Sequence, residues 1–80
     1  MTRMKQMWDE IKSANNGAIL LFKMGDYYSA YYDDAIKLRG AYGRGSKQLY
    51  SVDSSEIKDF LMQAELNSFK IIIIQEKNNV

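Results

Sequence analysis

Two short apolar runs constrain this chain more than any other feature: AILLFKM at residues 18–24 and FKIIII at residues 69–74. Neither approaches the roughly 20 residues that a membrane-spanning helix requires. Four successive isoleucines favour extended backbone, because branching at Cβ restricts the rotamers a helix permits. The earlier run is bounded by Gly17 and Gly25 and is nearly all apolar. A strand that is apolar on both faces needs cover on both faces, so the chain must supply helices to pack against a small sheet.

The remaining segments supply them. Met4, Met7, Trp8, Ile11 and Ala14 recur at three- and four-residue steps, one face of an amphipathic helix that Asn15-Asn16-Gly17 ends. Gly25-Asp26 turns the chain. From Ser29 to Leu38 a second helix would carry Tyr31, Ala35 and Leu38 on its inner stripe, with Tyr28 and Tyr32 nearby and Asp33, Asp34, Lys37 and Arg39 facing outward. GAYGRGSK, residues 40–47, has three glycines and reads as a loop. Gln48 to Val52 reads as a strand. Asp53-Ser54-Ser55-Glu56 is a capping-box pattern ahead of a third helix, with Ile57, Phe60, Leu61 and Ala64 inward and an end near Asn67-Ser68. The expected fold class is therefore α/β: a small mixed β-sheet of about three strands flanked by three helices, with some parallel pairing. A chain of 80 residues makes one domain, 1–80, with a polar tail from residue 75 expected to fray. One sheet edge is expected to be open.

Composition narrows the chemistry. There is no cysteine and no histidine, which removes thiol chemistry, cysteine-bound zinc and the usual acid–base residue near neutral pH. Asp53 with Gln75-Glu76-Lys77 loosely resembles the acidic set of some metal-dependent nucleases, but helix capping accounts for Asp53 without a metal. No enzyme activity, metal or cofactor is expected. The glycine loop lacks a Gly-Lys-Ser/Thr ending and follows a helix, so it is not a nucleotide site. The charged N-terminus has no signal-like apolar stretch, and the expected protein is soluble and cytoplasmic, with no membrane partner. Net charge is +1, so nucleic-acid binding would need a local patch. Lys37, Arg39, Arg44 and Lys47 offer one, with no acid from residue 36 through 47. Tyr27, Tyr28, Tyr31 and Tyr32 fall within six positions. At helical spacing aromatics are mainly core, but the adjacent Tyr27 and Tyr28 must point in different directions. One of the group should therefore be exposed, as base stacking and protein interfaces both use.

The stretch LLFKMGDYYSAYYDDA, residues 20–35, resembles the N-terminal mismatch-recognition domain of the MutS family of DNA mismatch-repair proteins. The agreement covers Leu20, Leu21, Phe22, Met24, Gly25, Asp26, Tyr28, Tyr31, Asp34 and Ala35. Gln6, Met7, Ile11 and Lys12 upstream follow the family pattern more loosely, as do Leu49 to Val52, Phe60-Leu61 and Ser68 to Ile73 downstream. The resemblance implies a non-catalytic, stand-alone recognition domain that binds DNA, a mismatched or distorted duplex included. It implies Tyr27 at the position of the aromatic that wedges beside a mispaired base. Ser29 stands where the family carries a glutamate that hydrogen-bonds that base, so that role does not carry over. Arg39, Arg44 and Lys47 are the expected phosphate contacts. The alternative from another class is a protein-interaction module, a homodimer or a partner on an open strand edge, that kept the fold and lost the DNA site.

Overall fold

The computed structural model describes residues 3–43 and 49–75. Helix α1 (Arg3–Ala14) leads to strand β1 (Ala18–Met24), strand β2 (Tyr27–Tyr31), helix α2 (Tyr32–Tyr42), strand β3 (Leu49–Asp53), a single 3-10 turn (Ser54–Glu56), helix α3 (Ile57–Leu66) and strand β4 (Lys70–Gln75). One sheet has the order β3-β2-β1-β4. β1 pairs antiparallel with β2 and parallel with β4, and β2 pairs antiparallel with β3. The α/β class, three helices and mixed pairing are as the sequence implies.

The sheet has four strands where about three are expected, because β2 occupies the front of the expected second helix. Its residues alternate between faces: Tyr28 and Ala30 join one core, while Tyr27, Ser29 and Tyr31 point to the other side. The helix begins only at Tyr32, whose φ of 57° turns the chain from strand to helix within one residue. Such a conformation costs about 1–3 kcal/mol in a non-glycine residue. The Tyr32 ring is held against Trp8, centroids 5.3 Å apart, with Lys5 Nζ 4.8 Å above it. At its far end α2 runs through Gly40 to Tyr42, into the segment expected as loop, and stops at Gly43 in the left-handed conformation, φ 75°. Tyr42 explains the extension: its ring packs on Tyr50, Phe60 and Phe69.

Each face of the sheet has its own core. Ile19, Leu21, Ala30, Tyr50 and Val52 pack with Ala35 and Leu38 of α2 and with Phe60 and Ala64 of α3. Leu20 and Phe22 pack on the opposite face with Trp8 of α1. β1, buried from Ala18 to Phe22, is therefore covered on both sides, as its composition requires. Removing five such side chains from water stabilises the fold by about 1.5–3 kcal/mol for each of the larger ones. Of the expected inner stripe of α1, Met7 and Ala14 are exposed instead.

Asp34, expected to face outward, is fully buried. Its carboxylate accepts from Lys12 Nζ at 2.7 Å and from the Leu20 amide at 3.0 Å. Lys12 also donates to the Ala18 carbonyl. These bonds join α1, β1 and the first turn of α2, and they satisfy a charge that would otherwise be costly to bury. Among the described residues no helix is long and apolar enough to cross a membrane.

Candidate nucleic-acid interface

The end of the sheet where β1 turns into β2 carries the exposed aromatic. Gly25 and Asp26 form the two-residue turn, and Gly25 adopts φ 61°, a conformation that tight hairpin turns require and glycine reaches without a Cβ clash. The Asp26 carbonyl accepts from the amide and the hydroxyl of Ser54, at 2.9 and 2.8 Å. Those bonds pin the hairpin tip to the end of β3. Tyr27 follows immediately, opposite Met24 on β1 and Asp53 on β3.

The four tyrosines then separate by environment. Tyr27 is 51% exposed. Tyr28 is half-buried on the α2–α3 side, with Lys23 Nζ 5.5 Å from its ring centroid. Tyr31 meets Phe22 edge-on at 5.8 Å, and Tyr32 meets Trp8. Of these four, Tyr27, at the tip of a pinned hairpin, is the one that stands exposed. Ser29, two residues along the same face, is 5% exposed, and its hydroxyl lies 2.9 Å from that of Ser51 across the sheet. The serine pair fills the floor behind Tyr27 and forms no projecting polar group.

Beside Tyr27 lies a groove of about 740 Å³ between α1 and the C-terminal ends of β1 and β4. Met4, Met7, Phe22, Met24 and Ile74 line it, with Arg3, Gln6, Glu10, Lys23 and Gln75. Met24 connects it to Tyr27 across the hairpin, so Tyr27, Met24 and Met7 form one exposed apolar strip on the α1 side. The sequence reading missed this groove because it assigned Met7 to the core. The cue was weak: Met4 and Met7 interleave with charged residues in the first helix and Met24 ends the first apolar run, places where flexible thioether side chains suit adaptable surfaces.

Charge around Tyr27 is mixed. Asp53 accepts hydrogen bonds from the Ser55 amide and hydroxyl, both at 2.9 Å, and these hold its carboxyl below its ordinary value of 3.8. It is therefore ionised near neutral pH, as the cap of the 3-10 turn, in agreement with the capping pattern. Asp26 is exposed at the same end. Among the described cations Arg3 lines the groove, while Lys23 carries its Nζ over Tyr28 on the opposite face; neither is among the expected contacts. Arg39 is exposed in the last turn of α2, a helix that covers the opposite face through Ala35 and Leu38. The structure thus brings Tyr27 and Ser29 together and sets Arg39 on the other layer. Arg44 and Lys47 lie outside the described residues, as do Glu76 and Lys77 of the nuclease-like pattern. Among the described residues no cluster of three or more acidic side chains could hold a metal ion.

Residues 2–58 match the model of the family described as MutS domain I. The DNA mismatch repair protein MutS of Chlamydia pneumoniae is 46% identical over 37 residues, which cover 46% of this chain and 4% of that protein. The MutS protein of Rickettsia bellii is 43% identical over 42 residues, 52% of this chain and 5% of its own length. The chain thus matches only a small part of these much longer relatives. With the family model matching well over half of its residues, and the hairpin block among them, the chain belongs to the MutS domain I family.

Proposed function

We propose that this chain is a non-catalytic DNA-binding module in which Tyr27 stacks against a base exposed in distorted or mismatched duplex. One observation carries the reading: of four clustered tyrosines, the one at the family's wedge position is the one left exposed, on a hairpin tip held by two bonds to Ser54. A rigid mount suits stacking, since little ordering remains to be done on binding. Arg3 is the phosphate contact on the Tyr27 side, while Lys23 and Arg39 would reach a backbone only from the other layer. Ser29 is recessed, so selectivity for a mispaired base rests on ease of unstacking and not on a hydrogen bond from that position. The reading of the chain as an interaction module uses a different region, the β4 edge, and does not compete for this surface.

The test is a titration of fully paired duplex, duplex with one unpaired base, and single-stranded DNA at 50 and 200 mM salt. A single phosphate contact predicts a loss of roughly three- to fourfold in affinity across that range. Absence of binding to all three at low salt would remove the proposal.

A further inference from the structure

The outer edge of β4 is open among the described residues, since β4 ends the sheet order and pairs only with β1. It carries none of the usual protections of an edge: no proline, no bulge and no charge within its centre. Ile71, Ile72, Ile73 and Ile74 are all half-buried, so the layers on both faces stop short of the strand's outer side. Such an edge is a template for another strand.

We propose that the strand docking there is β4 of a second copy, antiparallel, joining two sheets into one of eight strands about a two-fold axis. The strand's own pattern argues for this occupant. A two-fold axis normal to the sheet leaves each residue on its own face, so residues of like parity must oppose each other. With the axis beside Ile72 or Ile73, the middle of the run, isoleucine meets isoleucine at the centre: Ile71 opposite Ile73 in the first case, Ile72 opposite Ile74 in the second. Lys70 is the only charge on the strand. An antiparallel pair carries the two Lys70 side chains to opposite ends, whereas a parallel pair would set them about 4.8 Å apart. The same axis brings both Tyr27 rings out on one face of the joined sheet. The proposal does not depend on DNA binding.

The chain has no cysteine, which makes a crosslink specific. A residue on the axis faces its own copy at a Cα separation compatible with a disulfide. Sedimentation of the unmodified chain from 1 to 100 µM should show a species of twice 9.3 kDa. Under mild oxidation, Ile72→Cys or Ile73→Cys should give a disulfide dimer at low micromolar concentration. Met62→Cys, on the exposed side of α3, should remain largely monomeric under the same conditions. A strict monomer at 100 µM overturns the proposal, and that measurement stands even if a cysteine variant fails to fold. Crosslinking of Met62→Cys as fast as the β4 variants also overturns it, by showing random collision or another interface.

Discussion

Asp34 shows how much a single residue can hide from a reading of sequence. Its place on α2, next to Asp33 and before Lys37, fits a solvated helix face, and nothing nearby in the chain announces its partner. The partner is Lys12, 22 residues earlier, and the second acceptor interaction is with the Leu20 amide. Only the three-dimensional meeting of α1, β1 and α2 makes burial tolerable. Truncating one member of such a pair leaves the other uncompensated, at a cost of about 3–5 kcal/mol when both are dry. Lys12 retains some access to water, so Asp34→Ala should destabilise by about 3 kcal/mol, read as a lower urea midpoint. Asp34→Asn keeps an acceptor for Leu20 and should cost less. Asp53 gives the pH-dependent counterpart. Its carboxyl titrates lower in the folded state than in the unfolded chain, so its contribution is full above 3.8 and is lost as pH falls through the lowered folded value. Urea midpoints measured from pH 5 to pH 2.5 should fall less steeply for Asp53→Asn than for the unaltered chain. An identical slope would show that the Ser55 hydrogen bonds do not stabilise the fold.

At the scale of elements, the two apolar runs and the third helix were legible because their signals are strong: β-branched and apolar composition marks the strands, and the Asp53 cap opens the 3-10 turn that leads into α3. β2 was not. In YYSAYYDDAIKL the steps from Tyr31 to Ala35 to Leu38 fit a helix, while the alternation of Tyr27, Ser29 and Tyr31 fits a strand, and both patterns are satisfied in sequence. The chain uses each in turn, switching at Tyr32 with a left-handed residue that no periodicity foretells. The end of α2 was obscured for another reason. Gly40 disfavours helix, yet Tyr42 docks among three aromatic rings and carries the helix past it. A Cβ at Gly40 would meet nothing within 4 Å, and the residue lacks a positive φ. Gly40→Ala should therefore stabilise the chain by about 1 kcal/mol, measurable as a higher unfolding midpoint. A fall in stability would place α2 elsewhere.

At the scale of the whole molecule, the layered plan decides what the site can be. Helix α1 covers one face only in part, leaving a methionine-lined groove and Tyr27 side by side, while α2 and α3 close the other face. That one tyrosine of the cluster stands exposed could be read from the adjacent Tyr27 and Tyr28 of the hairpin block. Which cations share its face could not, because the sequence offers a compact run from Lys37 to Lys47 and gives no sign that α2 lies on the far side of the sheet from Tyr27. The most direct test of Tyr27 as a stacking residue uses duplex DNA with 2-aminopurine beside an unpaired base, titrated with the unaltered chain and with Tyr27→Ala. Stacking by Tyr27 predicts a change in 2-aminopurine fluorescence on binding that Tyr27→Ala abolishes, together with a loss of about 1–3 kcal/mol in affinity. An unchanged fluorescence response and unchanged affinity in folded Tyr27→Ala would contradict it.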